Sequence, residues 1–329
     1  MPAGLVLLAA LVVVAVVAYL HDPHLTDAPN AAAEMGMTST VVESATPTAS
    51  PTTTPPPTPT MTPSPPAAHS EVPFNVPAKA VAILEAPCGA LLYGRDEHLS
   101  LPPASLTKIV TALTAIGRVE LTDEVEVTVS ASELRERTRS SVMGLEPGMT
   151  VSVEDLLHGL MLPSGNDAAI AIAEHVSGNV GAFVGLMNQE AARLGMHNTH
   201  LANPHGLGSR GMRTTAYDMA VAGMALMRDP TLAAIAATPS YVTGTELSFT
   251  NGNRLLGAYP GSNGVKIGYT RSARHTIVGS ALRDGRHIFV AVLGSDDLYS
   301  ETTELLDWAF SATESQCATP PTEDNTAPN

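Results

Sequence analysis

Hydrophobic and polar positions along the chain fall into three regimes. Residues 3–20, AGLVLLAALVVVAVVAYL, are apolar without interruption and carry no charge. A run of that length spans a bilayer when helical, and the lack of any polar face argues against a buried core helix. Residues 44–70, SATPTASPTTTPPPTPTMTPSPPAAHS, show no period at all. Proline holds such a stretch in extended polyproline II, and nothing in it can build a core. From about residue 74 the apolar positions return with the two periods of regular structure.

Short apolar stretches predict strands over AKAVAILEA (78–86) and ALLYGR (90–95), joined by a Pro87-Cys88-Gly89 turn. Helical spacing then begins near Ser105 and stops at Gly117. SVED at 152–155 matches a capping box that opens EDLLHGLML. Helical patterns continue through DAAIAIAEHV, FVGLMNQEAARLG and TTAYDMAVAGMALM. After about 240 the strand pattern returns in SYVTGTELSFT, GVKIGYT, TIVGSALR and HIFVAVLG, before a last helix, SETTELLDWAFSA. Strands at both ends with helices between them exclude a regular βαβ alternation. They predict an α+β fold: an antiparallel sheet drawn from both termini, with a helical insertion packed on it. The expected organisation is an N-terminal membrane anchor or signal sequence (1–21), a disordered Pro/Thr-rich linker (22–73), one folded domain (74–313) and a disordered tail (314–329).

Charge sharpens this picture. The net charge of −15 argues against nucleic acid as a partner, since nucleic-acid-binding proteins usually carry a basic face. Residues 1–73 hold five acidic residues and no Lys or Arg. Basic residues mark the cytoplasmic side of a span, so the domain is expected outside the cytoplasm, either tethered through the N-terminal helix or secreted after cleavage. Cys88 and Cys317 are too few for a disulfide scaffold. They are open to two readings: one bridge tying the start of the domain to its end, or two inert thiols.

The chain has fourteen arginines and only three lysines: Lys79, Lys108 and Lys266. Lys108 follows Ser105 by three residues, which puts the two side chains on one helix face. A serine hydroxyl is a poor nucleophile until a base takes its proton. A lysine made neutral by burial or a nearby cation can be that base, and an arginine cannot. A helix start also favours developing oxyanion charge at Ser105. Ser164 and Asn166 lie in PSGND, which taken alone is an ordinary turn. Lys266 lies in GVKIGYT, where Gly268 lets a ligand's backbone approach.

Ser-x-x-Lys, Ser-x-Asn and a Lys-x-Gly segment, in that order, are three parts of one catalytic set. With PASLTKIVTAL, SSVMGLEPGMTVSVEDLLHGLMLPSGNDAAIAIAEHVSG, NPHGL and TTAYDMA, the chain resembles the D-alanyl-D-alanine carboxypeptidases, low-molecular-mass penicillin-binding proteins. The likeness covers residues 78–310. It implies a three-layer α/β (α+β) sandwich with the site between the sheet and a helical subdomain. It implies Ser105 as the acylated nucleophile, Lys108 as its base, Ser164 as a proton relay and Asn166 as the holder of the substrate amide. Lys266 would supply positive potential beside Ser164, and Lys108 and Lys266 would each lower the other's pKa. The N–H groups of Ser105 and Tyr269 would form the oxyanion hole. The implied substrate is a peptidoglycan pentapeptide, with β-lactams as covalent inhibitors and no cofactor or metal.

Two departures from the family pattern stand out. Some members carry a β-rich C-terminal domain and anchor; here anchoring is expected at the N-terminal run. Ile267 stands where the family motif has Thr or Ser, whose hydroxyl helps bind the substrate carboxylate. Thr270, Arg254 or Arg271 is the expected replacement. Four rival readings stand beside this one. A metal site at His197, His200 and His205 lacks a closed ligand set. A β-lactamase lacks its E-x-x-L-N loop, and a G-x-S-x-G hydrolase lacks its elbow. A membrane-tethered binding module with impaired turnover is the remaining alternative, and Ile267 is its support.

Overall fold

Strand-forming residues from both ends of the domain meet in one sheet. The computed structural model describes residues 72–317. The expected anchor and nearly all of the expected linker therefore lie outside the described residues. In chain order, β1 (Ala80–Ala86) and β2 (Ala90–Arg95) lead to α1 (Thr107–Ala115). Next come β3 (Glu124–Glu126), α2 (Ala131–Thr138), β4 (Thr150–Ser152) and α3 (Val153–Met161). Helices α4 (Asn166–Ser177), α5 (Val180–Arg193), α6 (Ala216–Arg228) and α7 (Pro230–Ala237) complete the helical part. The hairpin of β5 (Ser240–Val242) and β6 (Ser248–Thr250) precedes β7 (Ser262–Thr270), β8 (Arg274–Arg283), β9 (Arg286–Ser295) and α8 (Leu298–Ala312).

The main sheet is antiparallel throughout, in the order β2-β1-β9-β8-β7. Its strands alternate between two apolar layers, as a period of two requires. Val81, Ile83, Ile288, Val290 and Val292 pack on the side of Leu305, Leu306 and Trp308 of α8. Ala82, Leu84, Phe289, Ala291 and Leu293 face the other side, with α1, α3, α5 and α6. Helix, sheet and helix make the three layers, and β7 is left as an edge strand facing the helical part.

Two helices escaped the periodic pattern. In α2 only Ala131 and Leu134 are buried, too thin a stripe to read, although Ser130 caps it by accepting the Glu133 N–H at 3.3 Å. In α7 the mark is Asp229 followed by Pro230 at the first helical position, a strong start signal. The capping box of α3 is half made. Ser152 accepts the Asp155 N–H at 3.0 Å, but the Asp155 carboxylate turns to the Tyr241 hydroxyl at 2.9 Å.

The cysteines are bridged: Cys88 and Cys317 form a disulfide with their Cα atoms 5.5 Å apart. Beside it the buried Glu85 carboxylate accepts from Arg286 Nε and from the Gln316 N–H, each at 2.9 Å. Arg286 Nη1 in turn donates to the Thr313 carbonyl at 2.9 Å. Residues 313–317 are thus fastened to the sheet, beyond the expected boundary at 313. The remainder of the expected tail lies outside the described residues. Among the described residues no single helix is long and apolar enough to cross a membrane.

Candidate active site

Ser105 does not sit in the α-helix itself. It lies on a 3-10 turn, Ala104–Leu106, that runs directly into α1, so Lys108 falls in the first turn of the helix. Lys108 is fully buried, and its Nζ meets three oxygens: Asn166 Oδ1 at 2.6 Å, the His205 carbonyl at 2.7 Å and Ser105 Oγ at 3.3 Å. The two short partners can only accept. A neutral amine has two N–H bonds and one lone pair, so with both donors engaged the lone pair is left for the serine hydroxyl.

The NPHGL stretch builds one wall of this pocket. Asn203 Oδ1 accepts the Gly206 N–H at 2.7 Å, turning the chain so that the His205 carbonyl points at Lys108. Thr111 fixes the turn from α1 by donating to the Pro204 carbonyl at 2.6 Å. Gly206 has φ of 90°, and a Cβ there would come within 1.9 Å of the Ala104 carbonyl oxygen. No other residue fits. His205 is pushed down to about 3 by burial and by the adjacent Lys108 charge, and its Nδ1 accepts the Leu207 N–H at 3.1 Å. This histidine serves through its backbone, and among the described residues no group of three His, Cys, Asp or Glu side chains is placed to hold a metal.

PSGND is more than a turn. Ser164 adopts φ of 65°, and its buried Oγ makes no hydrogen bond among the described residues. A strained, unpartnered hydroxyl at a cleft wall is the kind of group that functional sites retain. Asn166 begins α4 with its side chain spent on both ends: Oδ1 takes Lys108, and Nδ2 donates to Ser140 Oγ at 2.7 Å. The buried Asp167 carboxylate accepts the N–H groups of Met143, Gly144 and Leu145 at 2.8, 2.8 and 3.0 Å. It holds the 140–145 segment against the start of α4. Asp167→Ala leaves those donors unpaired and is expected to cost at least about 3 kcal/mol, read as a lower urea midpoint at constant slope.

Lys266 projects from the edge strand β7 and is also buried. Its Nζ donates to the Ile267 carbonyl at 3.2 Å, so its hydrogen bonding ends on its own strand rather than at Ser164. Burial lowers Lys266 to about 7. Burial also pushes Lys108 well down; the Lys266 charge adds to this, and Asp167 opposes it. The lysines' influence is therefore unequal: Lys266 acts on Lys108, while its own shift comes from desolvation.

Gly268 is also required by the protein's own packing. A Cβ there would lie 2.8 Å from the Ser105 backbone nitrogen, 2.8 Å from Thr276 Oγ1 and 3.2 Å from the Ala104 Cβ. The close approach is made by the protein's own nucleophile turn. Outside it opens a cleft of about 800 Å³ whose lining includes Ser105, Ser164, Asn166, Ile267, Gly268 and Tyr269. Thr270, Arg254 and Arg271 line it as well, so these three expected carboxylate contacts stand at the cleft. They are not equally free. Arg254 stacks on Tyr299, its guanidinium 4.2 Å from the ring centre. The Thr270 hydroxyl accepts the Ala273 N–H at 3.0 Å in the β7–β8 turn. Arg271 is exposed. Not singled out by the sequence were Ser140, Arg139, the His205 carbonyl and Asp167; of these only Asp167 carried a signal, as a carboxylate next to the Ser-x-Asn asparagine.

A five-stranded antiparallel sheet between helical layers, with a serine–lysine pair facing its edge strand, is the fold of the DD-peptidases and penicillin-binding proteins. The chain belongs to the D-alanyl-D-alanine carboxypeptidase family, whose model matches residues 64–297. It is 34% identical over 246 residues to the D-alanyl-D-alanine carboxypeptidase DacF of Bacillus subtilis, covering 71% of this chain and 62% of DacF. DacB2 of Mycobacterium tuberculosis is 35% identical over 257 residues, covering 74% of this chain and 86% of DacB2. A mutant of the Streptomyces K15 DD-transpeptidase superposes with a TM-score of 0.68 at 30% identity, over 72% of this chain and 99% of that one.

Proposed function

We propose that this protein is a serine D-Ala-D-Ala carboxypeptidase acting on peptidoglycan stem peptides. The observation that carries the reading is the Lys108 amine, with both donors engaged and its third valence directed at Ser105 Oγ. Ser105 attacks the penultimate D-Ala carbonyl while Lys108 takes its proton. The oxyanion is met by the N–H groups of Ser105 and Tyr269. The proton passes through Ser164 to the departing amine, terminal D-Ala leaves, and water frees the shortened peptide from the ester. β-Lactams acylate the same oxygen. The N-terminal run 3–20 tethers the domain on the outer face of the cell membrane.

The test is to incubate the full chain with a labelled penicillin and with a pentapeptide ending in D-Ala-D-Ala. Label on Ser105 together with D-Ala release supports the enzyme. Stable label without turnover favours the binding-module reading, for which Ile267 speaks, and absence of both removes the proposal.

The two lysines also set a pH profile. Lys108 must be neutral to act as base, and its pKa is lowered, so acylation rises with pH through that depressed value. Lys266 is cationic only below about 7, so the positive potential it lends the substrate is lost as pH rises past that point. The two lysines thus act in opposite senses, and the Lys266 contribution to kcat/KM is expected to fall as pH rises past about 7. Lys266→Arg, which stays charged, is expected to lower the rate but abolish that fall. A fall that survives the exchange assigns it elsewhere.

A further inference from the structure

The last turn of α2 ends in a run of hydrogen bonds whose direction is forced. Thr138 lies one turn after Leu134, and its hydroxyl donates to the Leu134 carbonyl at 2.7 Å. Such back-bonding to the preceding turn is common for a helical threonine, and it uses the hydroxyl's one proton. Arg139 then leaves the helix with φ of 53° and ψ of 31°. That left-handed step brings the chain round, so that the Ser140 hydroxyl meets the Thr138 hydroxyl at 2.6 Å. Thr138 has no proton left, so Ser140 is the donor in this pair. Ser140 in turn has none left for its other neighbour. Toward Asn166 Nδ2, at 2.7 Å, it can only accept.

The consequence is carried across the Asn166 side chain. An amide presents donors at one end and an acceptor at the other, and its two orientations have nearly the same shape. With Nδ2 committed to Ser140, Oδ1 faces Lys108 Nζ at 2.6 Å. Every bond in the run therefore points one way, from the Lys108 N–H through Asn166, Ser140 and Thr138 to a backbone carbonyl. In the reversed orientation the amide N–H would face Lys108. It would then take the lone pair that the amine directs at Ser105 Oγ.

We infer that Thr138 and Ser140 are positioning residues that fix the orientation of the Asn166 amide and so keep the Lys108 lone pair free for Ser105. The inference rests on the acyl-transfer reading above and goes beyond it by naming what sets the base. The segment itself is held by other means. The Ser141 carbonyl accepts the Asn166 N–H at 3.0 Å, and the Asp167 carboxylate holds Met143, Gly144 and Leu145. Removing either hydroxyl therefore releases the direction of the run and not the position of the loop. Lys108 is faced by Lys266 from β7, by Asp167 from α4 and by His205 from the NPHGL turn. The exchanges below leave all three in place.

The experiment measures, across pH, the rate at which a labelled penicillin acylates Ser105 in the full chain. Thr138→Val keeps the side chain's shape but removes the acceptor for Ser140, whose proton can then turn to Asn166 Oδ1. The rate is expected to fall about three- to tenfold, the worth of one hydrogen bond between neutral groups. Protonated Lys108 also loses an acceptor, so its pKa drops further and the rising limb of the profile moves to lower pH. Thr138→Ser restores both rate and limb. Ser140→Ala is at least as slow as Thr138→Val and carries the same test should the valine variant fail to fold, as circular dichroism would report. The double variant is no slower than Ser140→Ala, because the threonine acts only through the serine. A slow variant whose limb stays put overturns the inference, and so does a double variant in which the two losses multiply. Wild-type labelling matched by an unchanged Thr138→Val profile sinks only this inference. Failure of the wild type to label sinks the acyl-enzyme reading and this one with it.

Discussion

Lys108→Arg is expected to reduce acylation of Ser105 on the order of 10²–10⁴-fold, although it preserves the positive charge. The reason lies in protonation rather than size alone. Lys108 has its amine between two acceptors, with burial and the Lys266 charge both pushing it toward the neutral form. A guanidinium keeps its proton in the same surroundings and has no lone pair to offer the serine. It also fills space that is closed on all sides. Lys108→Met serves as the companion variant, since it removes the amine without adding bulk. Both should lose penicillin labelling while circular dichroism shows a folded domain. A folded Lys108→Arg protein that still acylates at near wild-type rate would mean that another group is the base.

Ile267→Thr is expected to raise kcat/KM for a peptide ending in D-Ala-D-Ala by roughly tenfold to a hundredfold, mostly through KM. A hydrogen bond from a hydroxyl to a carboxylate is worth about 1.5–3 kcal/mol, and isoleucine makes none. Ile267 lines the cleft, with its Cδ1 3.1 Å from where a Cβ on Gly252 would sit. The aliphatic side chain fills that space, so the exchange is also expected to lower stability modestly, by about 1 kcal/mol. Peptide kinetics and a denaturant curve on the same variant report the two effects separately. An unchanged KM would mean that Arg254, Thr270 or Arg271 already supplies the contact in full.

The layers were legible in the sequence because burial on two faces leaves strong patterns. HIFVAVLG reads as a strand buried on both faces, and β9 sends Val290 and Val292 one way and Phe289 and Ala291 the other. Ser105 and Lys108 were legible because a rare lysine at helical spacing from a serine has few structural explanations. The NPHGL turn was not, because its contribution is the His205 carbonyl, and a carbonyl belongs to every residue type. Ser140 was hidden for a related reason: its partner Asn166 lies 26 residues away, and only folding brings them together. Gly268 was assigned to the ligand because a glycine in a strand announces a close approach without saying what approaches. The disulfide was undecided for want of geometry, which only the Cα separation of 5.5 Å could provide.

That close approach sets the terms on which this site can change over generations. Sheet and nucleophile turn touch at Gly268 with no side chain between them, so any side chain there must push the serine's backbone away from the strand. One residue earlier, the side chain at 267 looks into the cleft, and a mutation alters what is held without disturbing what reacts. Substrate preference is therefore free to drift at 267 while the reactive core stays fixed. A lineage can retune its appetite for cell-wall peptides, or its sensitivity to antibiotics, without first losing its chemistry.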